Sequence, residues 1–290
     1  STMFFCLSYI SITSSVKKSA KVWQYLILNK KIYHFIWCVL TFCHMSSIII
    51  LSYDENLCNS NLEEYIMKRS EVNKILKDNI EFIKSMNFNL PPFAYFTPEE
   101  WKEKGHEYDE IRNHMLGWDI TDYGHGDFNK IGLFLFTLRN GSLSEPDCKK
   151  TYAEKLLISD EDQYSPMHFH WNKMEDIINR GGGNLIVEVY NCAEDESLAD
   201  TPVTVTCDGR VFTVPAGTKL CLKPGESITL PPRQYHAFWA EKGHGKCLIG
   251  EVSMVNDDNT DNRFYETMGR FPEIEEDEAP LYFLCNEYPK

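Results

Sequence analysis

Two kinds of hydrophobic periodicity follow each other along most of the chain. Apolar residues between Val72 and Met86 recur every three to four positions among charged residues, which predicts an amphipathic helix. The sequence Leu90-Pro91-Pro92 ends this pattern. Thr97-Pro98-Glu99-Glu100 combines a capping residue, a proline and a glutamate, so we expect a second helix to start there and to run towards His114.

Beyond Trp118 the helical pattern gives way to short strand-like runs separated by turn residues, such as Arg139-Asn140-Gly141 and Pro224-Gly225. Helices followed by many evenly spaced strands predict a mainly β fold, a sandwich or barrel with helices at its N-terminal side. The predicted strands are Ile131–Leu138, Tyr152–Ile158, Met167–His170, Asn184–Tyr190, Val203–Cys207, Lys219–Leu222, Ser227–Leu230 and Lys246–Met254.

Residues 1–66 differ in character from the rest. They contain five lysines, no arginine and four acidic residues, and an uncharged run extends from Ile32 to Tyr53. Such a run is long enough to cross a bilayer. Three interpretations stay open, namely a membrane anchor, a disordered or loosely packed extension, and sequence translated upstream of a start at Met67. The predicted organisation is a leader over 1–66, whose place in the native protein is open, and a domain over 67–290. Within the domain, residues 67–118 form the helical part and residues 119–290 form the barrel.

The charge balance excludes some partners. The 290 residues include 29 basic and 43 acidic side chains, which gives a formal net charge of -14. We therefore expect neither nucleic acid nor a membrane surface to bind the 67–290 domain, whereas small neutral ligands are compatible with this charge. The cysteines form no CxxC pair, so we expect free thiols and a cytoplasmic domain rather than a disulfide scaffold. The leader leaves a membrane-anchored form open.

One group of residues has the spacing of a metal site. His168 and His170 lie two residues apart on a predicted strand, so both side chains point to the same face. Glu175 follows after a gap long enough for a tight turn, and His236 comes 61 residues later. Three imidazoles and a carboxylate suit Mn(II), Fe(II), Co(II) or Ni(II), and Zn(II) is possible without being structural, since no thiolate takes part. A lone His-x-His pair is often only a polar surface feature, but the flanking strands favour the metal site.

These residues resemble the two cupin motifs. His168-x-His170-x4-Glu175-x6-Gly182 is similar to the first motif, and Gly225-x5-Pro231-x4-His236 is similar to the second. Longer blocks resemble the D-lyxose isomerase (D-lyxose ketol-isomerase) family from about Met67 to Tyr288. The blocks are Leu116–Asp119, Phe136–Gly141, His168–Gly183, Gly225–Pro232, Gly250–Asp258 and Leu284–Tyr288. The sequence departs from the second cupin motif at Pro232-Arg233-Gln234, where a glycine is usual, which leaves the shape of this turn open.

The resemblance implies a cupin-type β-barrel with N-terminal helices and a homodimer. It also implies an enzyme that interconverts D-lyxose and D-xylulose, and D-mannose and D-fructose, through a metal-stabilised enediolate with Mn(II) as the metal. The implied metal ligands are His168, His170, Glu175 and His236. The scarcity of basic residues near these ligands favours an unphosphorylated monosaccharide.

Proton transfer between sugar carbons needs a base that is not a metal ligand. Glu251 lies in an otherwise apolar strand, so we expect its carboxylate to face a polar cavity and to act as this base. Lys173 would stabilise oxygen charge or return a proton, although the reverse assignment, a hydride shift and an exposed turn lysine stay open. Lys155 and Asp261 are candidate substrate-binding residues, with an exterior ion pair and a solvated loop as their respective alternatives.

Two rival functions are compatible with the same motifs. The first is a metal-dependent cupin dioxygenase, which would consume oxygen. The second is a non-catalytic sugar-binding cupin that keeps its metal for stability. Interconversion of lyxose and xylulose without oxygen uptake would separate the isomerase from both.

Overall fold

The computed structural model describes residues 66–258, 260–269 and 272–289. Apart from Ile66, the leader lies outside the described residues. The choice between an anchor, an extension and an upstream start therefore also falls outside them. Within the described residues, no helix is long and apolar enough to cross a membrane. The helices are α1 (Arg69–Ser85), α2 (Pro98–Trp101) and α3 (Asp109–Asn113), with 3₁₀ turns at Pro92–Tyr95 and His106–Tyr108.

Helix α1 has the amphipathic character predicted from the sequence. Val72, Leu76, Ile80 and Ile83 recur at helical spacing and are all buried. They belong to one apolar cluster together with strand residues such as Phe134. The helix therefore covers one side of the sheet that it packs against.

The prediction of the second helix is wrong about the length of that helix. Thr97 does cap α2, since its Oγ1 accepts a hydrogen bond from the backbone N–H of Glu100 at 3.3 Å. The helix nevertheless ends at Trp101, whose buried ring contacts Tyr108 and Tyr288 with ring centroids 6.2 and 4.3 Å apart. The chain must turn to bring the ring of Tyr108 back to Trp101, and this turn lies between α2 and α3.

The remaining regular elements among the described residues are β-strands. The strands are β1 (Met67–Lys68), β2 (Gly117–Thr121), β3 (Leu133–Arg139), β4 (Tyr152–Ser159), β5 (Ser165–His170), β6 (Glu175–Gly182), β7 (Leu185–Cys192), β8 (Leu198–Ala199), β9 (Val203–Cys207), β10 (Arg210–Val214), β11 (Thr218–Leu222), β12 (Ser227–Leu230), β13 (Gln234–Ala240), β14 (Cys247–Met254), β15 (Asn262–Phe264) and β16 (Ile274–Glu275). An eight-stranded sheet has the order β10-β9-β12-β6-β14-β4-β3-β2. A smaller sheet has the order β11-β7-β13-β5-β15, with β8 paired to β7, and β1 pairs with β16.

Each predicted strand overlaps an observed one, which confirms the mainly β fold class. Several further strands were not predicted, among them β2, β6 and β13. Strand β13 has Tyr235 on one side and His236 on the other, and both are buried. A strand buried on both faces shows no alternation of polar and apolar residues, so its sequence lacks the usual signal.

Alternate residues of the larger sheet contribute to different apolar clusters. On β4, Leu157 belongs to the cluster inside the barrel, whereas Leu156 and Ile158 belong to the cluster beneath α1. The outer face of the smaller sheet carries a third cluster that includes Phe169 and Tyr235. The cysteines within the described residues are all free thiols.

Candidate active site

Two neighbouring strands of the smaller sheet bring three imidazoles together. β5 carries His168 and His170, β13 carries His236, and the two strands are paired with His236 opposite His168. One nitrogen from each of the three side chains lies within 4.8 Å of the others. Positions far apart in the sequence thus converge because β5 and β13 lie side by side.

Backbone carbonyls fix the orientation of two of these rings. Nδ1 of His168 lies 2.7 Å from the carbonyl oxygen of Pro166, and Nδ1 of His236 lies 3.1 Å from that of Gln234. A carbonyl oxygen only accepts hydrogen bonds, so each Nδ1 carries the proton and donates it. The Nε2 atom of each ring is then left with the lone pair that a metal ion requires.

The buried nitrogens lack hydrogen-bond partners. Both ring nitrogens of His170 and Nε2 of His236 are buried without a hydrogen bond of suitable geometry. Glu175 Oε1 lies 3.0 Å from His236 Nε2 and 3.4 Å from His170 Nε2. Burial also lowers the pKa of His168 and His170, which keeps both rings neutral. Imidazole nitrogens that lack hydrogen-bond partners beside a carboxylate fit a divalent cation bound by nitrogen and oxygen.

Lys173 joins the carboxylates of this site. Its Nζ lies 2.8 Å from Glu175 Oε2 and 2.9 Å from Glu251 Oε1. Only 3% of Lys173 is exposed, which excludes the alternative of an exposed turn lysine. Burial by itself would lower the pKa of Lys173, but Glu175, Glu251 and Asp258 together raise it above its ordinary value. Burial opposes the ionisation of Glu175, yet the charge of Lys173 holds the pKa of that carboxyl well below its usual range.

Lys155 and Glu251 face the same cavity from neighbouring strands. They are paired across β4 and β14, and both are about 5% exposed. Lys155 Nζ lies 3.8 Å from Glu251 Oε1 and 3.6 Å from Asp258 Oδ1. Glu251 Oε1 also accepts a hydrogen bond from the hydroxyl of Ser253 at 3.2 Å. The alternative of an exterior ion pair for Lys155 is therefore wrong.

Asp261 is not among the residues that line the cavity, and its predicted role in substrate binding stays a prediction. Its Oδ1 accepts hydrogen bonds from the backbone N–H and the side-chain amide of Asn172, at 2.8 and 2.9 Å. Its Oδ2 accepts from the backbone N–H of Lys173 at 2.9 Å. The acidic loop folds back onto the turn before β6, so this carboxylate holds the turn that carries Lys173.

The sequence model of the D-lyxose isomerase family matches residues 67–288. The D-lyxose/D-mannose isomerase of Serratia proteamaculans is 52% identical over 223 residues, which cover 77% of this chain and 98% of that protein. The D-lyxose/D-mannose isomerase of Escherichia coli O157:H7 is 50% identical with the same coverage. This chain belongs to the D-lyxose isomerase family. The family membership makes it an enzyme of the aldose–ketose isomerase class.

A solved structure confirms the cupin-type fold of this D-lyxose isomerase family member. A variant of the L-ribose isomerase from Acinetobacter sp. DL28, in complex with L-ribose, aligns with a TM-score of 0.50. The alignment covers 73% of this chain and 99% of that chain at 13% sequence identity. At this identity the likeness concerns the fold alone.

The departure from the second cupin motif is local. Arg233 adopts a φ of 63°, the left-handed conformation for which glycine is usual. Its backbone N–H donates to the carbonyl oxygen of His170 at 2.8 Å, and its guanidinium lies 4.9 Å from the ring centre of Trp171. A cation over an aromatic ring offsets part of the strain. The turn therefore keeps the backbone shape that a glycine would give.

Sequence reasoning missed one residue that contacts both lysines of the cavity, Asn256. Its Oδ1 accepts hydrogen bonds from Lys155 at 2.7 Å and from Lys173 at 3.2 Å. An uncharged amide in a loop has no ionisable group and no regular spacing that would mark it as a site residue. The sequence offered two indirect indications, namely its place shortly after Glu251, where β14 ends, and its position within the block Gly250–Asp258. The surrounding cavity of about 280 Å³ also has apolar walls, to which Leu157 and Phe238 contribute.

Proposed function

We propose that this chain is a metal-dependent isomerase of free aldoses, which interconverts D-lyxose and D-xylulose, and D-mannose and D-fructose. The observation that carries the proposal is the convergence of three imidazoles, two of which line one cavity together with the carboxylates of Glu175 and Glu251. The two curated relatives at about half identity are named for both D-lyxose and D-mannose. Their names support this pair of substrates.

The proposed metal ligands are His168, His170, Glu175 and His236. Mn(II) is the expected ion, and Co(II), Fe(II), Ni(II) or Zn(II) would suit the same nitrogen and oxygen donors. When bound, the ion would supply Lewis-acid stabilisation of the negative charge that develops on the two reacting sugar oxygens. The lowered pKa of His168 and His170 and the lowered pKa of Glu175 favour the neutral imidazoles and the ionised carboxylate that metal ligands require.

Glu251 is the proposed base. Its carboxylate removes the proton from C2 of the aldose and returns it to C1, while the hydroxyl proton moves from O2 to O1 through an enediolate. Lys173 is unsuited to this role because its ammonium group is engaged by Glu175, Glu251 and Asn256. Lys173 instead holds Glu251 in place, and Lys155 donates to a sugar hydroxyl.

The charge of the cavity favours an unphosphorylated sugar. Among the described residues that line it, Lys155 and Lys173 face the carboxylates of Glu175, Glu251 and Asp258, and none is an arginine. A phosphate group would find no arginine among these described residues, and it would compete with the three carboxylates for the two lysines. The volume of about 280 Å³ suits a single monosaccharide.

The functional unit in this proposal is a homodimer. Four large apolar side chains, Tyr152, Met174, Val252 and Met254, are between 42% and 51% exposed. Tyr152 is paired with Met254 across β4 and β14, and the backbone N–H of Met254 donates to the carbonyl oxygen of Met174. Exposed apolar residues that lie side by side favour burial against another protein surface.

An activity assay tests the proposed function directly. The purified full chain is freed of metal with a chelator, reloaded with Mn(II), and incubated with free aldoses including D-lyxose and D-mannose. The expected result is metal-dependent formation of D-xylulose and D-fructose without oxygen uptake. Failure to isomerise any aldose after reloading would contradict the proposal, and oxygen consumption would indicate a dioxygenase.

A further inference from the structure

Asn256 lies between the two lysines of the cavity. Its Oδ1 accepts hydrogen bonds from Lys155 Nζ at 2.7 Å and from Lys173 Nζ at 3.2 Å. An amide oxygen has two lone pairs, so it can serve both ammonium groups at once. One neutral atom thus holds two like charges in defined positions.

The two lysines differ in their other contacts. Lys173 Nζ also lies 2.8 Å from Glu175 and 2.9 Å from Glu251, so its three N–H groups face three acceptors. Lys155 Nζ donates to Asn256 within the described part of the chain, whereas the carboxylates of Asp258 and Glu251, at 3.6 and 3.8 Å, are too distant to accept. Two N–H groups of Lys155 therefore remain available to a ligand in the cavity.

A second asparagine holds the backbone of Asn256 independently of the lysines. Asn140 Oδ1 accepts from the backbone N–H of Asn256, and Asn140 Nδ2 donates to its carbonyl oxygen, both at 3.0 Å. Asn140 is itself buried, and its carbonyl oxygen accepts from Nδ1 of His114 at 2.9 Å. Removal of the Asn256 side chain leaves these anchoring contacts in place.

We infer that Asn256 is a positioning residue of the isomerase, whose amide oxygen keeps Lys155 away from Glu251 and directs its remaining N–H groups at a sugar hydroxyl. The inference rests on the proposed function, in which Glu251 is the base. Asp258 lies at 3.6 Å in the loop after β14, but Glu251 lies directly opposite Lys155 on the neighbouring strand. Without the amide, we expect attraction to draw Lys155 Nζ from 3.8 Å into contact with Glu251. A second direct ion pair, added to the one with Lys173 at 2.9 Å, would make this carboxylate a weaker base.

Kinetics of Asn256→Ala in the full chain loaded with Mn(II) provide the first test. We expect kcat to fall about ten- to a hundredfold, the range for loss of a hydrogen bond to a charged group. Metal content and the midpoint of urea unfolding should not change, and Asn256→Asp, which keeps an acceptor oxygen, should recover part of the loss. The matched control is Asn191→Ala, which removes an amide bonded to Thr201 and Pro202 outside the cavity. Wild-type kcat in Asn256→Ala would overturn the inference.

A double-mutant cycle tests whether Asn256 acts through Lys155. In a Lys155→Met background, Asn256→Ala should cost little further activity, because the group that it positions is already absent. A loss as large as in the wild-type background would overturn the inference. Both single variants and the double variant are compared at equal metal content.

A third readout does not depend on catalysis. In crystal structures of the wild type and Asn256→Ala, we expect Lys155 Nζ to move into hydrogen-bonding distance of Glu251 while Lys173 stays in place. An unmoved Lys155 would overturn the inference even if the enzyme isomerises sugars. A displaced Lys155 in a chain that isomerises no aldose would support the placement and contradict the proposed function alone.

Discussion

Around Leu156 and Leu157 on β4, the two faces of the larger sheet are both buried, but they differ in chemistry. On the outer face, Leu156, Ile158 and Leu248 belong to the apolar cluster beneath α1. On the inner face, the same two strands β4 and β14 contribute Lys155 and Glu251 to a cavity. Charged side chains are costly to bury, and here they are buried only where other charges and a cavity accompany them.

Because neighbouring residues on a strand point to opposite faces, residues of β4 that stabilise the fold alternate with residues that face the cavity. A substitution on the outer face should change the free energy of unfolding and leave the kinetics of the folded enzyme intact. A substitution on the inner face should change the kinetics, and it also lowers stability where an apolar contact or a buried ion pair is lost. Paired variants on neighbouring residues therefore test the comparison most sharply.

The largest kinetic effect is expected for Glu251→Gln on the inner face. Replacing the proposed base by an amide should lower kcat by about two orders of magnitude or more, because a carboxamide cannot accept the sugar proton. Metal content should be unchanged. The matched control is Glu154→Gln on the outer side of β4, where Glu154 pairs with Arg139. Near-normal turnover in Glu251→Gln would exclude it as the base.

Leu156→Ala and Leu157→Ala compare the two faces with the same chemical change. Both residues are 2% exposed, so each variant should lose about 2–5 kcal/mol in the free energy of unfolding, measured by urea titration. Only Leu157 lines the cavity, so only Leu157→Ala should also raise KM. Equal KM values in the two variants would contradict the separation of the faces.

A smaller effect is expected at the turn that carries Lys173. Asp261→Ala removes three hydrogen bonds to this turn and should lower kcat about tenfold, because Lys173 loses its fixed position. Asp195→Ala, which removes a similar turn-holding carboxylate beside Ser197, is the control. An activity loss of the same size in both variants would point to general destabilisation.

The smallest expected effect on catalysis lies on the uncovered part of the outer face. Val252→Asp combined with Met254→Asp should weaken the proposed dimer while leaving the kinetics per subunit unchanged. Sedimentation velocity over a range of concentrations measures this change. Val211→Asp is the control, since Val211 is 65% exposed on β10. A wild-type chain that sediments as a monomer would contradict the proposed dimer.

The sequence predicted those helices and strands that bury only one face, because their apolar residues recur with a regular period. Helix α1 and strands such as Val203–Cys207 show such a pattern, and the structure confirms them. Strand β13 is buried on both faces and gave no such signal, although His236 within it was identified through its motif. The pattern around Trp101 predicted a longer helix because aromatic packing between distant segments leaves no periodic trace.

The residues of the candidate site also fall into two groups, those on strands that the sequence predicted and those in loops that it did not. Period-two geometry placed His168 and His170 on one face, and the structure brings His236 beside them. The turn-holding contacts of Asp261 and the two hydrogen bonds to Asn256 depend on how loops fold back, which no local pattern reports. Charge and spacing were therefore informative on strands and much less so in loops.

Metal content of His236→Ala tests the central claim most directly. The full-length wild type, reloaded and dialysed, should retain about one divalent ion per chain in elemental analysis, whereas His236→Ala should retain almost none and lose activity. His244→Ala, which removes a half-exposed imidazole outside the cavity, should behave like the wild type. Wild-type metal content in His236→Ala would contradict the proposed ligand set and the isomerase mechanism built on it.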